Sequence, residues 1–341
     1  MTGIKDVARR AGVSISTVSY VMSGKRSVRG ETKRKVMQAA RDLHYSPNAG
    51  ARMLRGDRTG ILALSDPIHP DTDYANYSGY MLEVAKRAHA LGYDVLLLTG
   101  ENMSGEIGRV CDSQLVDGVV LLDVDMVDDR VEMAEHSTVP YVSIGYPRNV
   151  AALRCVDLDF AMMGRIAIDK VAEQGHRTCL FFGPAASVYE RGSNFVVRVL
   201  ESLSRRARER GVTLGTYRVE GDAPESVHSV VNRAFEEHPD ATAIIAQTGL
   251  EFLNNAIACV HESGRRIPQD VSFVTIATYG NADALTIPLN ELPLRPAITC
   301  SKAVDMLVGA LGGKGDPPGT VDLVAPEYID RGSVVVPHMP D

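Results

Sequence analysis

Lysine and arginine side chains are the groups that hold nucleic-acid phosphates, and this 341-residue sequence gathers them at one end. Residues 1–58 contain 13 Lys and Arg against 4 Asp and Glu, a net of +9, while the remainder contains 23 against 39, a net of −16. The overall charge of −7 conceals this asymmetry. A basic head on an acidic body suits a module that binds DNA while repulsion keeps the body off the phosphates. Covalent chemistry finds no comparable arrangement. Ser, His and Asp are plentiful, yet none falls in GxSxG, P-loop or HExxH spacing, so no catalytic residue, metal ligand or cofactor is expected. The five cysteines (111, 155, 179, 259, 300) are scattered with no CxxC, as in reduced thiols filling the core of a cytoplasmic protein. The acidic run DVDMVDD, residues 123–129, has no EF-hand pattern and reads as a solvated loop.

The elements that would present the basic end to DNA are short helices. Ile4, Val7, Ala8 and Ala11 recur at helical spacing, Gly12-Val13-Ser14 breaks the pattern, and Ile15 to Met22 restarts it with Val18, Val21 and Met22 inward. Ser14 can accept a backbone N–H at the start of the second helix. Two helices across a glycine-containing turn form a helix-turn-helix, whose second helix enters the major groove. A third helix is expected from Gly30 to Leu43, with Val36, Ala39, Ala40 and Leu43 inward and Lys33, Arg34, Lys35 and Arg41 elsewhere. From Gly60 the pattern changes. The strands GILALSD, YDVLLL, GVVLLD and VPYVSIG alternate with helices, and a second series reads TCLFFGP, TYRVEG, AIIAQT and SFVTIA. Such alternation implies parallel sheets with helices on both faces. No apolar run approaches the roughly 18 residues of a membrane span, and no charged-then-apolar leader opens the chain.

The motif DVARRAGVSISTVS, followed by VRGETKRKVMQAARDLHYSPNAGARMLRG, resembles the lactose-repressor (LacI/GalR) family of bacterial transcription factors. Weaker likeness continues through VDG, VPYVSIG, QGHRTCLFFGP, IPQDVSFV and YIDRGSV, so it covers nearly the whole chain. The resemblance implies an all-α head on an α/β body of two doubly wound, periplasmic-binding-protein-type subdomains. It implies a helix-turn-helix domain at 1–45, a hinge helix at 46–58 and an effector-binding and dimerisation domain at 59–341. Within that body the expected N-subdomain is about 59–154 and 285–317, and the C-subdomain about 155–284 and 318–337. The implied function is a DNA-binding transcriptional regulator, a repressor in most members. It would bind a near-palindromic double-stranded operator as a homodimer or higher oligomer, and answer to a small-molecule effector between the subdomains.

On this resemblance Ile15, Ser16 and Tyr20 would read bases, with Ser14 capping and Thr17 and Ser19 on phosphates. Tyr20 stands where the family commonly has an arginine that grips guanine. It can donate one hydrogen bond or meet a thymine methyl, or its ring can simply pack beside the helix. Arg29 replaces the usual serine N-cap of the third helix, a loss of about 1 kcal/mol. Asn48, Arg52, Leu54 and Arg55 belong to the implied hinge helix, where Leu54 would wedge between central base pairs. In the cleft, Arg191 matches the ligand-directed arginine in the pattern RxxxF. Three positions depart from the sugar-binding pattern: Gly145 replaces a carboxylate, Gln247-Thr248 replaces Asn-Asp, and Ala277 replaces Asp. Asp66 remains, with Tyr74, Tyr77, Tyr146, Gln247 and Tyr279 as candidate neighbours. The expected cleft is therefore aromatic and poor in carboxylates, suited to something other than a plain neutral sugar, such as a ligand with an anionic group for Arg191. The alternative is a constitutive regulator whose cleft has lost its ligand. Competing classes fare worse. A solute-binding protein needs no helix-turn-helix, an enzyme needs a reactive constellation, and a nucleoid protein needs no cleft.

Overall fold

The computed structural model describes residues 3–23, 28–45, 58–69, 72, 74–100, 102–278 and 282–338. The chain divides into two units, Met1–Thr59 and Gly60–Asp341.

In the first unit, helices α1 (Ile4–Ala11), α2 (Ile15–Ser23) and α3 (Gly30–Asp42) enclose Val7, Ala8, Val18, Val21, Val36, Ala39 and Ala40. Gly12 ends α1 in the left-handed conformation, φ 66°, which glycine adopts without a Cβ clash. Val13 N–H then returns to the Ala8 carbonyl at 3.0 Å, and the turn aims α2 across α1. Arg29 occupies the N-cap of α3 and its side chain makes no capping bond.

The second unit contains two all-parallel sheets. The first uses β1 (Ile61–Ser65), β2 (Asp94–Leu98), β3 (Gly118–Leu121), β4 (Tyr141–Ile144), β5 (Arg154–Leu158) and β11 (Val321–Val324), in the order β11-β5-β4-β3-β1-β2. The second uses β6 (Thr178–Gly183), β7 (Thr213–Arg218), β8 (Ala243–Ala246), β9 (Ser272–Thr278) and β10 (Asn290–Pro293), in the order β10-β9-β8-β6-β7. Side chains alternate across each strand, and both faces are apolar. In the first sheet, Leu62, Leu64, Val120 and Val142 face α4 (Tyr74–Ala90) and α12 (Pro296–Leu311). Ala63, Val119, Leu121 and Tyr141 face α5 (Met103–Asp112) and α6 (Arg130–His136). In the second sheet, Cys179 and Phe181 face α7 (Phe160–Glu173) and α9 (Asn194–Arg210), which follows the short α8 (Ala186–Arg191). Leu180 and Phe182 face α10 (Pro224–Glu237) and α11 (Leu250–Glu262). Four of the five cysteines are buried and all five are free.

Three expectations about where the chain changes sheet are corrected. β5 pairs with β4 through Arg154 to Val156, so residues 155–158 belong to the first sheet instead of opening the second. β10 pairs with β9, which keeps 290–293 in the second sheet. Residues 321–324 pair with β5 and return to the first. In each case the open edge of a neighbouring strand decides membership, and an apolar run does not reveal which edge it will meet. The crossings thus fall near 159, 294–295 and 325–328. Beyond the last, the Ile329 backbone bridges to Glu291, and Phe273 N–H donates to the Ser333 carbonyl at 2.9 Å.

Candidate functional site

In the head, the first turn of α2 is fixed by Ser14, whose Oγ accepts from the Thr17 N–H at 3.1 Å and shares a hydrogen bond with Thr17 Oγ1 at 2.8 Å. Val18 and Val21 point into the core, which turns Ile15, Ser16 and Tyr20 outward. Ile15 is 42% exposed and Tyr20 is 36% exposed. Thr17 and Ser19 are half-buried at the margin of that face. A large side chain and a hydroxyl-bearing ring thus stand at the surface where no core demands them. Asn48, Arg52, Leu54 and Arg55 lie outside the described residues, as does Tyr279.

The second site lies where the carboxyl ends of the two sheets meet. Arg191 closes α8, which follows β6, and its Nη2 reaches Asp123 Oδ2, just beyond β3, at 3.2 Å. Its Nη1 stands 3.8 Å from Asp125 Oδ1. Backbone contacts run alongside: Asp125 bridges Ser193, Met126 N–H donates to the Gly192 carbonyl at 2.7 Å, and Asn194 N–H donates to Val124 at 3.1 Å. Strand carboxyl ends are where open α/β sheets bind ligands.

The loop carrying Asp123 and Asp125 is held from below by Arg130. The Arg130 guanidinium forms a buried fork with Asp128, Nε to Oδ1 at 2.9 Å and Nη2 to Oδ2 at 2.7 Å. Its Nη1 also donates to the carbonyls of Ser65 at 3.2 Å and Leu122 at 2.9 Å, and Nη2 to that of Asp123 at 2.9 Å. The Arg130 charge holds the Asp128 carboxyl below its ordinary value against the cost of burial. Asp123 itself sits at φ 46°, a left-handed conformation that this network sustains.

Asp66, at the end of β1, is fully buried and neither carboxylate oxygen has a hydrogen-bond partner. Burial, reinforced by the charge of Asp123 and opposed by Arg130, pushes its carboxyl up to about 8. Asp125 is pushed up to about 7 by burial, with Arg191 opposing. From the facing sheet, Gln247 at the end of β8 is 3% exposed, and neither atom of its amide is bonded. Thr248 Oγ1, Ser193 Oγ and Asn194 Oδ1 are likewise buried and unbonded. Tyr189 O–H is a further unbonded group, its ring covered by the Arg218 guanidinium at 3.5 Å.

Several sequence expectations are revised here. The run 123–129 is not a solvated loop: Asp128 is buried and Asp123 and Asp125 face Arg191. The cleft is therefore rich in carboxylates, and Arg191 is already countered by two of them. Tyr146 is half-buried under Arg198, whose guanidinium lies 3.5 Å from the ring centre and donates to the Tyr146 carbonyl at 3.0 Å. Tyr77 donates to the Asp66 carbonyl at 3.2 Å, while Tyr74 stands largely exposed, edge-on to Tyr77 at 6.4 Å. Gly145 adopts φ 107°, and a Cβ there would lie 2.8 Å from Asn194 Nδ2, so the family's carboxylate has no room. The residues that sequence reasoning missed are Asp123, Asp125, Tyr189 and Arg218. Their one sequence signal is position: each lies in or just beyond a strand's carboxyl end, or in the short helix that follows one.

Among the described residues no group of His, Cys, Asp and Glu could hold a metal ion, and no helix is long and apolar enough to cross a membrane. A helix-turn-helix head joined to a two-sheet α/β body defines a class of ligand-responsive DNA-binding regulators. Residues 3–48 match the bacterial regulatory proteins of the lacI family, and residues 168–334 match the periplasmic binding protein-like domain. The HTH-type transcriptional repressor PurR of Pectobacterium atrosepticum is 30% identical, with 98% of this chain and 97% of that protein covered. The HTH-type transcriptional regulator CelR of Thermobifida fusca is 30% identical over 92% of each chain. Among solved structures, the lac repressor dimer bound to operator and the anti-inducer ONPF has a TM-score of 0.81 at 19% identity, covering 98% of this chain and 99% of that one. The CelR–cellobiose complex has a TM-score of 0.67 at 24% identity, covering 98% and 100%. The chain belongs to the lacI family of bacterial regulatory proteins and is a DNA-binding transcriptional regulator.

Two outcomes follow from the buried charges. Arg130→Leu leaves Asp128 buried without its partner and lowers stability by about 3–5 kcal/mol, read as a lower urea midpoint; adding Asp128→Asn recovers part of the loss. For Asp66 the folded-state value of about 8 lies above the ordinary 3.8, so the folded protein holds the proton more tightly. That contribution is complete below 3.8 and is lost as pH rises through about 8. Asp66→Asn is therefore expected to flatten the fall in stability across this window and to exceed wild type at its alkaline end, measured by denaturation midpoints along a pH series.

Proposed function

We propose that this chain is a transcriptional repressor that binds a near-palindromic operator as a homodimer, and that a small polar ligand between the two subdomains sets its DNA affinity. The observation that carries the ligand half is the set of unbonded buried polar groups on both sides of the cleft, Asp66 on one and Gln247 on the other. Buried polar groups without partners cost about 1–3 kcal/mol each, and a ligand between the sheets would relieve that cost. The PurR and CelR relatives are named as transcriptional regulators, PurR as a repressor, and the two solved relatives carry an operator with an anti-inducer and cellobiose, respectively. The dimer half draws on α4 and the edge strand β2, where Leu82 is 66% exposed and Leu97 is also open. In this reading Ile15, Ser16 and Tyr20 read base edges, Thr17 and Ser19 meet phosphates with Ser14 capping the helix, and in the hinge segment that carries Asn48, Leu54 enters the minor groove while Arg52 and Arg55 lie near phosphates. Asp66, Tyr77, Arg191 and Gln247 hold the ligand, with Tyr74, Tyr146 and Tyr279 at its margins.

A constitutive regulator is the second reading, favoured by the Arg191–Asp123 pair, which joins the subdomains without outside help. A ligand acts only through its differential affinity for two arrangements. The readings therefore part on one measurement: operator affinity with and without any ligand that the cleft binds.

The operator reading is checked by capturing bound genomic DNA and titrating the recovered site from low to moderate salt. A two-fold site saturated by two chains, with affinity falling steeply as phosphates regain counterions, is expected. Salt-independent binding, or one chain saturating a half-site, rules it out. Tyr20→Ala is expected to relax preference at one or two positions per half-site, by roughly 1–3 kcal/mol each. A uniform loss over all sequences would show instead that the ring only packs.

A further inference from the structure

We infer that the ligand of this cleft carries a cationic nitrogen, an amine or similar group, seated against Asp66 and Asp125 with its other polar atoms met by Gln247 and Thr248. The inference rests on the reading of the cleft as a ligand site and names the chemistry it takes. Three carboxyl groups stand at the carboxyl end of the first sheet, where burial raises Asp66 and Asp125 and Asp123 is close enough to both for its charge to raise them further. The Arg130 guanidinium below them is matched by Asp128, and Asp123 faces both Arg191 at 3.2 Å and His69 Nε2 at 3.6 Å, which leaves Asp66 as the carboxyl with no basic group in ion-pair reach among the described residues. An anionic ligand at the unbonded Arg191 Nη1 would lie against Asp123 and Asp125, in a body whose net charge is already −16.

A neutral polyol can accept or donate hydrogen bonds here but leaves Asp66 and Asp125 to be neutralised by protons, whereas a cation takes the place of those protons. Asp66 is fully buried with both oxygens unbonded, and an ionised carboxylate in that position is stable only beside a counter-charge. The titratable and charged groups facing Asp66 are Asp123, Arg130, the Tyr77 hydroxyl and the Cys300 thiol; those facing Asp125 are Arg191, Asp123, Asp128 and Arg130. None supplies a cation within hydrogen-bond reach of the unbonded Asp66 oxygens. The second, independent observation comes from the other sheet. The Gln247 amide is buried and offers an unbonded donor and an unbonded acceptor, and Thr248 Oγ1 beside it is also unbonded. These groups suit the hydroxyl or amide atoms of a small polar amine.

The arrangement also fixes a proton balance. With Asp66 held at about 8 and Asp125 at about 7, both are largely protonated under mildly acidic conditions. A bound cation favours the ionised carboxylates, so complex formation releases protons to the buffer. A neutral ligand that only hydrogen-bonds releases none.

The experiment uses the full-length protein and matched probes: glucosamine, putrescine and ethanolamine, against glucose, 1,4-butanediol and glucose 6-phosphate, each at millimolar concentration. Thermal shift identifies binders, and calorimetry at about pH 6 in two buffers of different ionisation enthalpy counts protons. Stabilisation by amines alone, proton release on binding, and a loss of about tenfold or more in affinity in both Asp66→Asn and Asp125→Asn are expected. Each variant is first checked for a native circular dichroism spectrum and a cooperative unfolding transition. Binding confined to the neutral or anionic probes, binding without proton release, affinity undiminished in both variants, or no shift from any amine overturns the inference. An amine that binds as described yet leaves operator affinity unchanged upholds the cationic site and counts against the regulatory reading.

Discussion

The buried fork between Arg130 and Asp128 is the constraint on which the cleft depends. A guanidinium in the interior needs both a counter-charge and acceptors for its remaining N–H groups. Here the carbonyls at the ends of β1 and β3 supply the acceptors, so one side chain ties two neighbouring strands and the loop beyond them into a single piece. The strain of Asp123 at φ 46° is sustained by the same bonds. Only because the loop is pinned do Asp123 and Asp125 stand opposite Arg191 on the other subdomain. The chain of dependence runs from a buried ion pair, to a loop conformation, to the contact that joins the two halves.

Much of the architecture was legible in the residues. The turn at Gly12 and the inward set Val7, Val18, Val21 and Val36 define the head, and the strand–helix alternation defines two parallel sheets. The sheet crossings were not legible, because 155–158, 290–293 and 321–324 are short segments whose partners are set by which strand edge lies open. The acidic run at 123–129 departs from the solvated loop that its composition suggests for a related reason. Local composition makes three or four carboxylates look like a solvated loop, whereas their fate is decided by Ser65 and by Arg191, the latter 68 residues beyond Asp123. Such partners leave no periodic trace. Asp66 is marked in the sequence by its position at a strand's carboxyl end.

Gly145 and the loop after β3 form one solution to a spatial problem. The backbone there turns through φ 107°, and Asn194 packs against the Cα from the other subdomain while its Nδ2 donates to the Val124 carbonyl at 2.8 Å. A side chain at 145 would force Asn194 away and break that contact. The carboxylates of this cleft come instead from the neighbouring strand end. The same acidic character is reached from a different strand, so family resemblance at single positions underestimates it.

The three crossings between subdomains have a consequence for synthesis of the chain. The face of the first sheet formed by Leu62, Leu64, Val142, Ile144 and Val156 is covered in part by Cys300, Ala303, Val304 and Leu307 of α12, and the sheet's last strand is β11. Ribosomal emergence is directional, so β1 to β5 are available long before the helix that shields them. At about 5–20 residues per second, the wait lasts through translation of the whole second sheet. During that interval an apolar face and the free edge of β5 stand exposed, the kind of surface that non-native pairing and chaperones find first. The second subdomain, whose β6 to β10 emerge as one uninterrupted stretch, is placed to consolidate ahead of the one that begins the body.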